Sequence, residues 1–115
     1  MQVNRFPDVQ AYEAPGHFGC SSFRLQGFDA SDVENFWVGM SHFLPGGGCD
    51  HEPTPLEKVY VVTAGEITVI TDTDEVTLGV NDSCHIPANE ARSVANRTNA
   101  PASMIVVMPY PAAAS

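Results

Sequence analysis

The 115-residue sequence has few basic residues: five Lys and Arg stand against fourteen Asp and Glu, which gives a formal net charge of -9. This charge has the wrong sign for following a phosphate backbone or an anionic bilayer, so we expect neither nucleic-acid nor membrane partners. No apolar run approaches the roughly 18 residues of a membrane-spanning helix, and the first ten residues lack a signal-peptide core. A cytoplasmic protein is therefore expected.

The sequence is also poor in cysteine. Cys20, Cys49 and Cys84 are an odd number without CxxC spacing, which argues against a disulfide framework or a zinc knuckle. Hydrophobic residues make up 43% of the chain and charged residues 17%, which is typical of a folded domain rather than a disordered chain. The length suits one hydrophobic core. We predict a single domain over residues 1–115, with a frayed tail over residues 110–115.

No stretch of useful helical length survives the nine glycines and nine prolines, which divide the chain into short segments. Between them lie runs rich in β-branched and aromatic residues, which are typical of strands. The gap from Gln26 to Asn35 lacks periodicity and is predicted to be an exposed loop, and Pro45 to Gly48 is predicted to be a turn. Regular spacing of this kind indicates an antiparallel sandwich or barrel. The eight predicted strands are Cys20–Leu25, Phe36–Leu44, Lys58–Thr63, Ile67–Thr71, Glu75–Leu78, Ser83–Ile86, Arg92–Asn96 and Ser103–Met108.

Two separated blocks resemble the signature motifs of the cupin superfamily. The first is Pro45-Gly46-Gly47-Gly48-Cys49-Asp50-His51 followed by residues 57–66, and the second runs from Asn81-Asp82 through Pro87 and Asn89 to Arg92 and Asn96. The resemblance covers about residues 44–96, and residues 102–109 fit the last strand. It implies a small single-domain cupin, an all-β fold in which an antiparallel double-sheet jelly roll forms a barrel, commonly as a homodimer.

The resemblance also implies where a metal ion is held in relatives, by two histidines and a glutamate of the first motif and a histidine of the second. Here the glutamate position falls on Lys58 and the second-motif histidine on Arg92. The first-motif pair falls on His51 and Pro53 or, one residue later, on Glu52 and Thr54. Ammonium and guanidinium groups only donate hydrogen bonds and repel a cation, so we expect no cofactor in the usual place.

A displaced metal site is the alternative. One divalent transition metal ion would then be bound by His51 with the carboxylates of Glu52 and Glu57, and His42 or Cys49 would be further donors. This arrangement requires a bulge near Pro53 or Pro55 that turns Glu57 inward in place of Lys58.

Lys58 is the only lysine, and together with Arg92 it places two of five basic residues at positions predicted to face the barrel interior. Buried cations are costly unless an anion joins them. One interpretation is a structural ion network with Glu52, Glu57 or Glu90. The other is a pocket for a small anionic organic molecule, in which Arg92 grips a carboxylate and Lys58 adds a second contact.

Further site residues follow from strand positions. His51, after the glycine-rich turn, is a candidate acid–base group or a turn histidine, and Tyr60 shares the face of Lys58. His42 alternates with Met40 and Leu44, so it is a candidate substrate-binding residue or a satisfied core histidine. His17 and His85 are predicted to be exposed. Asn96 is predicted to make a backbone contact at a strand end.

Three functions remain open. The leading hypothesis is a metal-free enzyme of lyase or isomerase type that acts on a keto or hydroxy acid by proton transfer, as a decarboxylase, isomerase, dehydratase or lyase. In it Arg92 and His42 bind the substrate, Lys58 stabilises enolate charge, His51 moves a proton and Tyr60 assists. The alternatives are a metal-dependent dioxygenase or decarboxylase with a rearranged site, and a non-catalytic binding module for the same small molecule.

Overall fold

The computed structural model describes residues 1–112 and is built almost entirely from strands. A single turn of 3₁₀ helix spans Phe6–Asp8, and no helix among the described residues is long and apolar enough to cross a membrane. The strands are β1 (Ala11–Tyr12), β2 (His17–Gln26), β3 (Trp37–Glu52), β4 (Lys58–Ala64), β5 (Ile67–Thr71), β6 (Glu75–Leu78), β7 (Ser83–Ile86), β8 (Arg92–Ala95) and β9 (Ala102–Met108).

The nine strands form a continuous antiparallel sheet that rolls into a nearly closed barrel. The strand order is β6-β5-β8-β3-β9-β4-β7, while β2 pairs with β3 and carries β1. The all-β jelly-roll prediction is confirmed. All eight predicted strands are present, and the two-residue strand β1 is additional.

Strand β3 continues through the segment that was predicted to be a turn. Its first part, Trp37–Phe43, pairs with β9, and its last part, from Gly48 to Glu52, pairs with β8. A Cβ on Gly47 would lie 2.2 Å from the Gly19 carbonyl oxygen, and a Cβ on Gly48 would lie 2.2 Å from the Val94 carbonyl oxygen. The glycines therefore permit close approach of neighbouring backbones at a corner, where a turn was expected.

Alternation along β3 separates the barrel interior from its outer surface. Trp37, Ser41 and Phe43 are buried, whereas Met40 and His42 between them are only half-buried. This period of two is the normal consequence of the pleat. The buried core between the sheet faces consists of Phe43, Cys49, Tyr60, Val62, Ile67, Val69, Leu78, Ile86, Val94, Ala102 and Met104.

Asn96 is 1% exposed and makes the predicted backbone contacts. Its Nδ2 donates to the carbonyl oxygens of Phe43 (3.1 Å) and Ala100 (2.8 Å), and its Oδ1 accepts from the Thr98 backbone N–H (3.0 Å) and Oγ1 (2.8 Å). The Asn96 side-chain amide thus forms hydrogen bonds with backbone groups near the end of β8, where no neighbouring strand provides partners.

Candidate functional site

The barrel encloses a cavity of about 350 Å³ that opens at one end. Aromatic side chains line much of the wall, and two arginines and two carboxylates supply its charged groups. The lining residues include Tyr12, His17, Arg24, Phe28, Trp37, Asp50, Glu52, Thr54, Leu56, Tyr60 and Arg92.

A bulge in β3 decides which side chains face this cavity. Cys49 pairs with Val94 and Glu52 pairs with Arg92, so β3 holds one more residue than β8 between these pairs. Directly paired residues of antiparallel strands lie on the same face, and a bulge shifts that alternation. Glu52 therefore takes the inner position opposite Arg92, where a regular strand would place His51.

Arg92 and Tyr60 form a buried pair on the cavity wall, with exposed fractions of 8% and 4%. The Arg92 Nε donates to the Tyr60 hydroxyl oxygen at 2.9 Å, and Nη1 donates to the Glu52 carbonyl oxygen at 3.5 Å. Burial raises the pKa of Tyr60 to about 12, so the phenol keeps its proton at neutral pH. Because its oxygen accepts from Arg92, the hydroxyl hydrogen is free to donate to a ligand.

Lys58 lies behind the cavity wall rather than on its surface. The side chain is 2% exposed, and Nζ donates to Thr54 Oγ1 at 2.6 Å and to the Leu56 carbonyl oxygen at 3.0 Å. Burial, with a smaller contribution from the Arg92 charge, lowers the pKa of Lys58 to about 8. Lys58 therefore supports the wall through Thr54 and Leu56.

The structural ion network, one of the two interpretations of the sequence, does not form within the part of the chain that the structure describes. Among residues 1–112, no carboxylate oxygen lies within 4.0 Å of a nitrogen of Lys58 or Arg92. Glu57 instead receives a contact from His85 Nε2 at 3.0 Å on the outer surface. Within the described part of the chain Lys58 and Arg92 consequently form no ion pair, although Asp50 and Glu52 line the same cavity as Arg92.

Two registers were possible for the first-motif ligand pair, and the structure has the second. The residues at the predicted metal-ligand positions are therefore Glu52 and Thr54, which lie near Lys58 and Arg92. One carboxylate and one hydroxyl beside an ammonium and a guanidinium do not fit a divalent cation. The displaced site is not assembled either, because His51 and Glu57 both lie on the outer surface while Glu52 faces inward. Within the described chain, no group of three His, Cys, Asp or Glu is placed to hold a metal ion.

The structure does not bring His51 to the cavity, contrary to its expected place at the barrel mouth. Its Nδ1 lies 3.1 Å from Ser93 Oγ and its Nε2 lies 2.8 Å from Asp72 Oδ1. Ser93 is on the outer face of β8, between the inward-facing Arg92 and Val94. The bulge is the physical reason for this difference.

His42 also lies outside the cavity and cannot contact a molecule bound there. Its Nδ1 is 2.6 Å from Ser103 Oγ, and its ring packs edge-on against Phe6 and Phe23 on the outer surface. Alternation from Phe43, which faces the core, turns His42 outward.

Four titratable cavity residues were not assigned a role from sequence: Tyr12, His17, Arg24 and Asp50. For Arg24 a signal exists, because Ser22, two residues earlier on β2, is buried and bonds to Ser41 inside the barrel. His17 was expected to be exposed but lies half-buried at the rim, where its Nδ1 is 2.9 Å from the Pro15 carbonyl oxygen. Because a carbonyl oxygen only accepts, Nδ1 carries a hydrogen in this contact.

Comparison with known proteins identifies the class. Residues 39–108 match the cupin domain family, and the chain therefore belongs to the cupins. The chain is also 42% identical over 113 residues to a protein named beta-D-galactosidase from Mycobacterium tuberculosis (strain ATCC 25618 / H37Rv), a match that covers 98% of this chain and 97% of the relative.

Solved structures share the fold at low sequence identity. A polyketide cyclase from Streptomyces resistomycificus superposes with a TM-score of 0.84 at 18% identity, covering 95% of this chain and 79% of that one. A sugar phosphate isomerase of the cupin superfamily from Silicibacter pomeroyi superposes with a TM-score of 0.79 at 24% identity, covering 96% and 76%. Cupin barrels thus carry unrelated activities, and the fold alone does not select one.

Proposed function

We propose that the barrel cavity is the active site of an enzyme that hydrolyses β-D-galactosides, with Asp50 and Glu52 as the two catalytic carboxyl groups. The observation that carries this proposal is the 42% identity, along almost the whole of both chains, to the relative named beta-D-galactosidase. Glycoside hydrolysis generally uses a pair of carboxyl groups on either side of the scissile bond, and the cavity wall contains such a pair.

The two carboxylates converge on one point of the cavity rim. A Cβ on Gly16 would lie 3.1 Å from Glu52 Oε1 and 3.4 Å from Asp50 Oδ2. Both oxygens therefore lie close to Gly16, within about 6.5 Å of each other, which is nearer to the carboxyl separation of retaining than of inverting glycosidases. In the proposed reaction one carboxylic acid protonates the leaving-group oxygen while the other carboxylate attacks the anomeric carbon, and water, deprotonated by the first group, then hydrolyses the glycosyl-enzyme bond.

The remaining wall suits a sugar ring. Trp37 and Tyr12 offer aromatic faces on which the apolar side of a pyranose packs, while the Tyr60 hydroxyl and Arg92 offer donors to sugar hydroxyls. A few convergent polar groups in a mostly apolar concave site are the usual composition of a ligand pocket.

The experiment is an assay of purified protein with 4-nitrophenyl β-D-galactoside, with the α-galactoside as the stereochemical control. We expect hydrolysis of the β-anomer, and a fall in kcat of at least about 100-fold in Glu52→Gln and in Asp50→Asn, since each removes one catalytic carboxyl. The pH–rate profiles of the two variants then separate the acid–base group from the nucleophile. Glu66→Gln, an exposed acid between β4 and β5, is the matched control. Unchanged activity in both site variants would refute the assignment.

A second function is favoured by the absence of carboxylate partners for Lys58 and Arg92 in the barrel interior. Buried cations of this kind attract an anionic substrate, as in the proton-transfer chemistry on a keto or hydroxy acid expected from sequence. In this version Arg92 and the Tyr60 hydroxyl bind the acid, and Lys58, with its pKa near 8, stabilises negative charge from behind the wall. His42 and His51 take no part.

Product analysis separates the two functions and a purely binding protein. Incubation with mixed keto, hydroxy and sugar acids, followed by mass spectrometry, detects loss of carbon dioxide or water. Consumption of an acid with no galactoside hydrolysis would favour the second function, and ligand-induced stabilisation without any product would favour a binding module. The homodimer and the cytoplasmic location stay predictions; light scattering of the purified protein tests the first.

A further inference from the structure

The cavity has a second arginine, Arg24, whose surroundings differ from those of Arg92. Its guanidinium carbon lies 4.3 Å from the centroid of the Tyr12 ring, 4.0 Å from that of Phe28 and 5.8 Å from that of Trp37. Rings from three separate segments therefore hold the side chain by cation–π contacts. The planar group is fixed in orientation before any ligand arrives.

The hydrogen-bond donors of Arg24 are unused. Among residues 1–112 it donates no hydrogen bond to another residue, no carboxylate oxygen lies within 4.0 Å, and its Nε is buried without a partner. Buried donors are nearly always paired in native proteins, and an unpaired one carries a large free-energy cost. Rings cover the faces of a guanidinium but do not satisfy the N–H groups at its edge, so the buried Nε points to a missing acceptor.

Arg24 lies between two cavities, which share only Arg24 and Tyr12 among their lining residues. The outer cavity, of about 550 Å³ beneath the N-terminal segment, is lined by Arg5, Asp8 and Asp29, and the barrel cavity by Arg92, Asp50 and Glu52, so the charged lining alone favours neither side. Two of the three rings that stack on Arg24, Phe28 and Trp37, line the barrel cavity and not the outer one. The rings therefore place the acceptor of Arg24 on the barrel side.

We propose that Arg24 forms a carboxylate-binding subsite in the barrel cavity, so that the substrate is an acidic sugar of the galacturonide class. A planar carboxylate matches the planar donor edge that the stacked rings leave open. This inference deepens the proposed function: the carboxylate subsite rests on it only in taking the barrel cavity as the substrate site, and the sugar part of the substrate is taken from it. Under the second function the same subsite binds the carboxylate of the keto or hydroxy acid.

Trp37 provides the measurement, because it is the only tryptophan and its ring lies beside Arg24. Its fluorescence is titrated with D-galacturonate, with D-galactose as the neutral match, and with acetate as the bare carboxylate. We expect galacturonate to bind at least tenfold more tightly than galactose. Arg24→Met should weaken galacturonate binding by about 10- to 100-fold and leave galactose binding nearly unchanged.

Arg97→Met is the matched control, since Arg97 is exposed and pairs with Glu75 at the surface. If Arg24→Met does not fold, Arg24→Lys replaces it, and at least a fivefold loss is expected because an ammonium lacks the paired donors. Equal affinity for acid and neutral sugar, an acid preference that survives the Arg24 variant, or no response to any of the three probes overturns the subsite. The expected binding pattern without hydrolysis of any galactoside would instead reject the proposed reaction and keep the subsite.

Discussion

The inner and outer faces of the barrel wall differ in how their cationic side chains are held, although one continuous sheet supplies both faces. On the outer face, His51 contacts Asp72, His85 contacts Glu57 and Arg97 contacts Glu75, all in exposed positions. On the inner face, Lys58, Arg92 and Arg24 are held by hydroxyls, carbonyls or aromatic rings and have no carboxylate within 4.0 Å among the described residues.

This difference indicates which face is built for binding. Exposed ion pairs contribute little to stability, because water and salt screen them and the side chains lose entropy. Buried cations without counter-ions reduce stability unless something else compensates, and such groups concentrate at functional sites. Four predictions test the comparison between the two faces, in order of decreasing effect.

Gly48→Ala should have the largest effect on stability, because it disrupts the corner at which β3 and β8 approach closely. The new Cβ would lie 2.2 Å from the Val94 carbonyl oxygen, so β3 and β8 must separate. We expect the free energy of unfolding in urea to fall by at least about 3 kcal/mol. Gly79→Ala is the control, since its Cβ meets nothing closer than Asp82 Oδ2 at 3.6 Å. Equal effects of the two substitutions would contradict this account of the corner.

Tyr60→Phe tests whether the buried cations of the inner face are stabilised by neutral hydrogen-bond acceptors. The substitution removes the hydroxyl oxygen that accepts from Arg92 Nε at 2.9 Å and leaves a buried charged donor unpaired. We expect a loss of about 2 kcal/mol in unfolding free energy. Added galacturonate should stabilise the variant less than the wild type in thermal melts, because the phenol donor is also lost. No change in melting temperature would show that the contact contributes nothing.

Lys58→Met should stabilise the protein, by about 1 to 2 kcal/mol at pH 7, because it removes a buried charge while sacrificing the contacts to Thr54 and Leu56. The pKa of Lys58 is about 8 in the folded protein and 10.5 ordinarily, so the unfolded chain binds more protons between these values. Wild-type stability should therefore rise from pH 8 to pH 10.5, and the advantage of the variant should shrink. Urea unfolding at pH 7 and pH 10 measures this, and a constant difference would argue against a depressed pKa.

His51→Ala should have the smallest effect, since its contacts with Asp72 and Ser93 are exposed. We expect a change below about 1 kcal/mol in unfolding free energy and activity within twofold of wild type. A loss of activity comparable to that of Glu52→Gln would restore His51 to the site and refute the assignment of the two faces.

The sequence predicts those strands whose bounds are set by residues close to them in the chain, and it predicts poorly the features that depend on distant residues. Strands β5, β6 and β7 were predicted to the residue, because turn residues bracket each one. Strand β3 was predicted too short, since a proline and three glycines normally indicate a turn. In the structure Gly47 and Gly48 instead let the backbone of β3 lie close to the carbonyl groups of Gly19 and Val94, which are distant in sequence.

The site was only partly predictable for the same reason. Motif spacing and strand alternation placed Tyr60 and Arg92 close together, and the two hydrogen-bond in the structure, whereas Lys58 lies behind the cavity wall. Motif spacing also left two registers open for the first-motif pair. The two registers are distinguished only by the pairing of Glu52 on β3 with Arg92 on β8. Arg24 was missed because its aromatic partners, Tyr12 and Phe28, come from separate segments that meet only in the folded barrel.

Strand β3 is a member of both halves of the jelly roll, because it pairs first with β9 and then with β8. Neither half can unfold without breaking backbone hydrogen bonds to this shared strand. The barrel therefore has no position at which one half could unfold while the other stays intact. The backbone amides of β3 should exchange with solvent only through global unfolding, which makes the chain a single cooperative unit despite its two-sided architecture.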